Sequence, residues 1–246
     1  SMDEKIMKLQ ELIDGHDNIV FFGGAGVSTE SGIPDFRSTD GLYSQKYDFP
    51  PETIVSHTFF MKRNKDFFDF YKDKMMALDA KPNAAHYKLA EWEAQGKCRA
   101  VVTQNIDGLH QMAGSEKVLE LHGSVYRNHC MRCGKSFDFA YMKHSTGVPR
   151  CECGGMIKPD VVLYEEGLDQ QTLERLMRTL RRYNLARPVG RLSGLDSRIE
   201  VFPTVLLALP DADLADAAAE SARTRTELGL YERPEGADTE AGEAEA

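Results

Sequence analysis

The sequence predicts an α/β fold, with a Rossmann-like parallel sheet and a small cysteine-rich insertion. An apolar run, "NIVFF", leads directly into the glycine turn "GGAG". Apolar runs and helical patterns then alternate up to about residue 125, which is typical of strands joined by crossover helices in an open parallel sheet. Between Tyr126 and Asp160, by contrast, Cys, Gly, Lys and Arg replace the long apolar runs. A segment that small cannot build a hydrophobic core of its own, so we expect it to be an insertion stabilised by a metal ion.

Composition limits the classes of function. The 246 residues include 41% hydrophobic residues and carry a formal net charge of −9. That hydrophobic fraction suffices for a core, whereas the negative charge argues against nucleic acid, whose phosphates require clustered Lys and Arg. No run approaches the roughly 18 apolar residues that cross a bilayer. The charged start is typical of an amphipathic helix rather than a signal peptide, with Ser1 a remnant of cloning. We therefore expect a soluble, cytoplasmic protein with no nucleic-acid and no membrane partner.

The elements of the predicted sheet can be placed in order. Ile19 to Phe22 form a buried strand, and a helical pattern around Leu89 ends near Gly96. "RAVVTQNID" and "KVLELHG" are a second and a third strand, and "FFMKRNKDFFDFYKDKMMAL" is an aromatic-rich helical region. Ligands collect at the carboxyl ends of the strands in such sheets. The candidate ligand contacts at those ends are Gly24, Gln104 and His122.

The glycine turn after the first strand suits a phosphate. Gly24 and Gly26 allow the backbone to approach a ligand closely, and the helix start that follows offers unpaired N–H groups. Because the full G-x-G-x-x-G fingerprint is absent, "GAG" alone is equally consistent with a plain strand-to-helix turn. Pro34 stiffens the next segment, so that Phe36 and Arg37 could cover and clamp a nucleotide.

Three motifs together, "GAGVSTESGIPDFR", "TQNIDGLH" and "LELHGS", resemble the sirtuins, the NAD-dependent protein-lysine deacylases. The resemblance runs from about residue 18 to about residue 172. It implies an NAD-dependent protein-lysine deacetylase, which removes acetyl from lysine and releases nicotinamide and O-acetyl-ADP-ribose. The cofactor-binding residues that it implies are Gly24, Ala25, Gly26, Thr29, Phe36, Arg37, Gln104, Asn105, Ile106, Asp107 and His122.

Within that set, the resemblance assigns catalysis to His122 and Asn105. Imidazole exchanges a proton near neutral pH, and in the family's mechanism the histidine deprotonates a ribose hydroxyl. Asp107 is expected to accept a hydrogen bond from the nicotinamide amide, although taken alone it would more often cap the turn after its strand. His110 is expected to help shape the floor of the pocket. The other histidines lack such a context.

The segment "KPDVVLYEEG" resembles the family's substrate strand. We expect Val161, Val162 and Tyr164 to bind an acetyl-lysine protein or peptide by main-chain pairing, a form of strand addition. Relatives that remove succinyl or malonyl groups carry a Tyr and Arg pair on a pocket helix. Here Tyr71 is present without an arginine three residues later, which favours acetyl or another uncharged acyl group.

Four cysteines predict the metal site. Cys130, Cys133, Cys151 and Cys153 form two tight pairs, each followed by a glycine. In a cytosolic protein such pairing favours metal over disulfides, and four thiolates suit one structural Zn²⁺ with no open position for water. The second pair has the spacing Cys-x-Cys, which strains the turn. Cys98 is expected to be a simple buried thiol.

The sequence changes character after Glu174. Lysine does not occur after Lys158, arginine and alanine become frequent, and the family's later strands and cofactor motifs are missing. We predict a junction there, with the second half of the sheet replaced by an unrelated tail. A divergent family tail is the less favoured alternative. "EVFPTVLLALP" could supply one strand, but its prolines limit pairing, so the central strand is expected to keep an open edge.

These boundaries divide the chain into five predicted parts. Residues 1–125 are the predicted front half of the NAD-binding domain, and residues 126–158 are the zinc module. Residues 159–174 hold the substrate strand and the start of a helix. Residues 175–235 are a non-family segment, and residues 236–246 are a disordered acidic tail. Two functions remain open on the sequence: an active deacetylase, or an inactive zinc-stapled fragment or chimera that at most binds peptide or nucleotide weakly. The oligomeric state is not predicted.

Overall fold

A computed structural model describes residues 1–34, 47–76, 79–182, 190–192 and 199–203. Within these ranges the strands form a five-stranded sheet in the order β3-β2-β1-β8-β7 and a three-stranded sheet in the order β5-β4-β6. The strands are β1 (Ile19–Gly23), β2 (Cys98–Thr103), β3 (Val118–Glu120), β4 (Gly123–Cys130), β5 (Ser136–Phe137), β6 (Ile157–Val161), β7 (Gly190–Leu192) and β8 (Ile199–Pro203).

The predicted parallel half of the sheet is confirmed. β1 pairs with β2 and β2 pairs with β3, both in parallel. The strands read as continuous apolar runs because both faces are covered: on one face Val20, Val102 and Leu119 pack together, and on the other Phe21 and Val101.

The expected open edge on β1 is not present. β8 pairs with β1 in antiparallel register, and β7 extends the sheet as the other arm of a hairpin. Pro203 is the last residue of β8 and lies opposite Ile19. The N–H group that proline lacks therefore falls at the end of the ladder, where it costs little.

Helices flank the sheet and build the rest of the core. They are α1 (Met2–Asp14), α2 (Pro51–Ile54), α3 (His57–Lys62), α4 (Asn64–Phe70), α5 (Ala84–Ala94), α6 (Leu109–Met112), α7 (Phe139–His144) and α8 (Gln170–Arg182), with a 3-10 segment at Ala25–Ser31 and a π-helical turn at Tyr71–Met75. In the part of the chain that the structure describes, none of them is long and apolar enough to cross a membrane.

The aromatic-rich region packs against the three-stranded sheet. Phe60, Phe67 and Phe68 are fully buried and meet edge to face, with ring centroids between 4.9 and 5.9 Å apart. Their cluster also contains Val125 and Ile157 from the three-stranded sheet. The small sheet is therefore held by a shared core as well as by its cysteines.

Candidate functional site

Three neighbouring strands end together at one edge of the large sheet. The ladder continues past the strand ends, because the N–H of Gln104 donates to the Gly23 carbonyl and the N–H of Leu121 donates to the Thr103 carbonyl, both at 2.9 Å. The residues expected to bind a ligand after β1, β2 and β3 thus lie side by side. This is the edge at which open parallel sheets bind ligands.

The glycine turn after β1 leads into the 3-10 segment. Gly26 is buried and Ala25 is exposed, while the Thr29 hydroxyl donates to the Gly26 carbonyl at 2.9 Å. A Cβ on Gly24 would lie 2.8 Å from the Gln104 side-chain oxygen. Glycine is therefore what lets this turn and the exposed Gln104 share the space at the sheet edge.

A buried hydrogen-bond network connects the turn to the end of β2. The Ser28 hydroxyl donates to Asp107 Oδ2 at 2.7 Å. The Asn105 amide donates to the same hydroxyl at 3.1 Å and to the Gly24 carbonyl at 3.0 Å. Side chains from two strand ends are thereby fixed relative to each other before any ligand arrives.

Asp107 caps the turn after its strand, which is the role that the residue taken alone predicts. Its Oδ1 accepts from the Leu109 N–H at 3.0 Å, which caps the start of α6. Asp107 is only 6% exposed. Burial raises the pKa of Asp107, although the hydrogen bonds from Leu109 and Ser28 oppose that shift. Each carboxyl oxygen has two lone pairs, so an amide N–H from a ligand can still be accepted.

His122 stands at a corner between the two sheets. It follows β3, and its carbonyl accepts a hydrogen bond from the Val162 N–H at 2.9 Å. Gly123 makes this corner possible: its φ is 79°, and a Cβ there would lie 1.7 Å from the Asp160 carbonyl oxygen. The "LHG" motif therefore ties the candidate base directly to the predicted substrate strand.

The predicted substrate residues follow β6 towards a loop. Val161 is buried and Tyr164 is half exposed, and Tyr164 bonds through its backbone to Val55 and His57. Glu165 has a positive φ of 76°, and among the described residues it is the only non-glycine residue with a positive φ. Its carboxylate accepts from the N–H and the hydroxyl of Thr58, which holds this unusual conformation in place.

A cleft of about 840 Å³ opens beside β6. Its walls come from the end of β3, the loop after β6 and the start of α8, and they carry both signs of charge. The charged residues around it include Glu120, Arg127, Lys158, Asp160, Glu166 and Arg175.

The four cysteines of the two pairs converge on one point. Their sulfur atoms all lie within 4.8 Å of one another, with 3.5 Å between the sulfurs of Cys130 and Cys153 and 3.6 Å between those of Cys133 and Cys151. Zinc bound to four thiolates at about 2.3 Å requires sulfurs roughly 3.8 Å apart. Backbone N–H groups of Cys133 and Arg132 lower the pKa of the Cys130 thiol to about 6, whereas the neighbouring thiols raise the pKa of Cys153 to about 11. The donor set thus fits a structural zinc ion.

Two glycines allow the short spacing of the second cysteine pair. Gly154 has a φ of 84°, and the Cys151 N–H donates to the Gly155 carbonyl at 2.9 Å. A Cβ on Gly155 would lie 2.5 Å from the Cys130 sulfur. Cys98, as expected, is a buried thiol away from this cluster.

Some site residues were not expected from the sequence. The Asn83 amide donates to the Val27 carbonyl at 2.7 Å and to the Ser31 hydroxyl at 3.0 Å, so it holds the 3-10 segment against α5. Its position after proline and before a helical pattern is an N-cap signal that could have identified it. Phe36 and Arg37 lie outside the described residues.

Ile106, His110 and Tyr71 occupy more interior positions. The Ile106 carbonyl accepts from the Val125 N–H at 3.1 Å, and its side chain packs against the aromatic cluster. His110 is buried below the network, against Phe21 and His86. Tyr71 is fully buried and stacks on Phe67.

Comparison with known proteins agrees with this geometry. The model of the Sir2 family matches residues 24–192, which extends past Glu174. An NAD-dependent protein deacetylase of Clostridium acetobutylicum is 59% identical over 181 residues, which cover 72% of this chain and 74% of the relative.

Solved structures give the same result. A Sir2 homologue in complex with NAD is 36% identical with a TM-score of 0.63, and the match covers 72% of this chain and 68% of that one. A Sir2 protein bound to an acetylated peptide is 37% identical with a TM-score of 0.57, and the match covers 69% and 68%. This chain belongs to the Sir2 family.

Proposed function

We propose that the chain is an NAD-dependent protein-lysine deacetylase, which removes acetyl from lysine and releases nicotinamide and O-acetyl-ADP-ribose. One observation carries the proposal: the Ser28–Asp107–Asn105 network and His122 meet at adjacent strand ends, and His122 is bonded to the predicted substrate strand. Relatives whose matches cover about 70% of the chain are named for this activity.

The residues present fit NAD at this edge. Gly24 and Gly26 would admit the cofactor's phosphates, with Ala25, Thr29 and Gln104 around them. Asp107 and Asn105 would orient the nicotinamide end, and Ile106 would exclude water from it. When bound, NAD supplies an electrophilic ribose carbon and nicotinamide as the leaving group. His122 would hold and transfer the proton of a ribose hydroxyl at one of its ring nitrogens.

An extended acetyl-lysine peptide is the proposed partner. Val161 and Val162 line the cleft, the Val162 N–H bonds to the His122 carbonyl, and Tyr164 follows two residues later. A strand added along this segment would place its acyl-lysine near the candidate base. The lack of an arginine partner for Tyr71 supports an uncharged acyl group. The four thiols require a reducing compartment to remain available to zinc, which supports a cytoplasmic location.

The proposed zinc ion has a structural role. Cys130, Cys133, Cys151 and Cys153 would fill a tetrahedral site completely, so no position is left for a reacting water. The ion would join β4 to the loop before β6. The domain division at residues 125, 158, 174 and 235 remains part of the proposal.

One observation favours an inactive alternative. In a doubly wound sheet a dinucleotide lies across the point where two sets of parallel strands meet, and both sets contribute carboxyl ends. Here β8 runs antiparallel to β1, so Ile199, at its amino end, lies opposite Gly23 at the site edge. Without a parallel strand at this position, the chain would be a zinc-stapled protein that binds peptide or nucleotide only weakly.

The release of nicotinamide separates these two functions. NAD and an acetyl-lysine peptide are incubated with the zinc-loaded chain and with its His122→Ala variant. We expect release by the wild type and a loss of about 10²–10⁴-fold in the variant. Absence of release from both, with zinc bound and cooperative unfolding retained, would establish the inactive alternative.

A further inference from the structure

β6 is an edge strand of the three-stranded sheet, and its outward-facing groups can be identified from its pairing. Val162 N–H bonds to the His122 carbonyl, so Val162 faces β4. Met156 also faces β4, because its carbonyl accepts a hydrogen bond from the Met131 N–H. This bond agrees with the strand register, in which Pro159 lies opposite Asn128. Residues alternate along a strand. Pro159, Val161 and Leu163 therefore direct their backbone groups away from β4, towards the free edge.

Two side chains of this chain already occupy that edge. The Lys158 ammonium donates to the Pro159 carbonyl at 3.2 Å and to the Val161 carbonyl at 3.1 Å. The Glu166 carboxylate accepts from the Leu163 N–H at 2.9 Å, and the Glu166 N–H donates to the Leu163 carbonyl at 3.0 Å. Four outward backbone groups are thus bonded within the chain itself.

Lys158 and Glu166 also bind each other, at 3.2 Å. The ammonium has three N–H groups and finds three acceptors, two carbonyls and one carboxylate oxygen. The Lys158 side chain is 13% exposed and that of Glu166 is 19% exposed. His57 Nδ1 lies 2.9 Å from the second oxygen of Glu166, so this pair is part of a network anchored on α3.

We propose that Lys158 and Glu166 form an edge lock, which closes β6 to strand addition and must open before a peptide can pair with Pro159, Val161 and Leu163. An incoming strand needs the same carbonyls and N–H groups that the lock holds. Lys158 is therefore a residue that sets the affinity and the backbone requirement of peptide binding, without touching the reacting atoms. Edge strands commonly use a charged side chain to prevent unwanted pairing.

This inference rests on the proposed peptide-binding role of β6, so its test has two readouts. The first is the affinity of a fluorescein-labelled peptide, acetyl-lysine flanked by alanines, measured by anisotropy with the zinc-loaded chain. Lys158→Met removes both bonds to the edge carbonyls, and we expect binding about tenfold tighter than in the wild type. Lys158→Arg retains a cation at the edge and should bind as the wild type does.

Two controls isolate the mechanism of the gain. Lys143→Met removes an exposed lysine of α7 and should leave affinity unchanged. A peptide with N-methyl groups on alternate backbone nitrogens cannot donate to the Pro159 and Val161 carbonyls. We expect it to show no gain with Lys158→Met.

The second readout is self-association by sedimentation velocity, which does not depend on deacetylase function. An opened β6 edge should pair with other copies, so Lys158→Met should associate more than the wild type. If neither protein binds the peptide but the variant associates, the proposed function fails and the lock stands. If the variant binds no tighter and associates no more than the wild type, the lock is overturned.

Discussion

Ser28 shows how much of the candidate site depends on one hydroxyl. It is 1% exposed, and it donates to Asp107 while accepting from the Asn105 amide. A serine hydroxyl has one donor and two acceptor positions. Alanine in the same place offers neither function.

Replacing Ser28 with alanine should therefore destabilise the fold as well as the site. The change removes one hydrogen-bond partner from Asp107 and one from the Asn105 amide, and we expect a loss of about 1–3 kcal/mol in the free energy of unfolding. Urea denaturation measures it. Ser136→Ala, at an exposed position on β5, serves as the control, and equal midpoints for both variants would contradict the network.

The buried histidine pair behind the site predicts a dependence on pH. The ring centroids of His86 and His110 are 4.8 Å apart, and both side chains are almost fully buried. Burial lowers the pKa of His86 to about 4, and burial together with the nearby His86 lowers the pKa of His110 to about 3. Both rings are therefore neutral in the folded protein near neutral pH.

The unfolded chain should take up protons before the folded chain does. Histidine in the unfolded state titrates near pH 6.5, above both folded values, so stability is fully present above that pH and is lost as the pH falls. The loss between pH 7 and pH 5 should be about 2 kcal/mol for each ring. His110→Leu should lose less stability over this range than the exposed-site control His144→Leu. Parallel curves for the two variants would refute this account.

At the scale of elements, the zinc module is held from two sides. Its cysteines converge where β4 meets the loop before β6, and its apolar side chains join the aromatic core. We expect about one zinc ion per chain by elemental analysis. Cys153→Ser should lose the ion, whereas Cys98→Ser should keep it. A strong chelator should melt the three-stranded sheet first, and retention of zinc by Cys153→Ser would contradict the site.

The corner between β3 and β4 depends on Gly123. Gly123→Ala places a Cβ against the Asp160 carbonyl in addition to forcing alanine to a positive φ. Gly147→Ala also forces alanine to a positive φ, of 63°, but no atom lies within 4 Å of the added Cβ. The difference between the two variants in the free energy of unfolding isolates the clash, and we expect Gly123→Ala to cost at least about 2 kcal/mol more.

At the scale of the whole molecule, the antiparallel pairing of β8 with β1 places the start of β8 at the edge that carries the candidate site. Phe22 and Glu200 are Cα partners in this register, whereas Val20 lies two residues away from that pairing. Cysteines at Phe22 and Glu200 should form a disulfide, because directly opposed Cα atoms are about 5 Å apart.

The matched control places cysteines at Val20 and Glu200, a diagonal pair beyond the usual reach of a disulfide. Mass spectrometry under non-reducing conditions distinguishes the two double variants. Crosslinking of the control but not of the first pair would show another register, and with it a different edge for the cofactor.

Residues that lie close together in the sequence predicted much of the fold and of the candidate site. The apolar runs, the cysteine pairs and the "LHG" motif predicted the parallel strands, the metal cluster and a histidine at a strand end, because each depends on residues close in sequence. Glu165 gave no comparable signal, and the N-cap signal of Asn83 does not reveal what its side chain binds. Their partners lie on other elements, such as Val27 for Asn83 and Thr58 for Glu165.

The sequence by itself determined the family, the parallel half of the sheet and the four cysteines of the candidate metal site. Tertiary structure alone decided that β8 covers β1 in antiparallel register, and that Lys158 and Glu166 cover the edge of β6. The physical reason is the same in both cases. A sheet edge is defined by backbone groups that every residue carries, so only the folded chain shows which segment satisfies them.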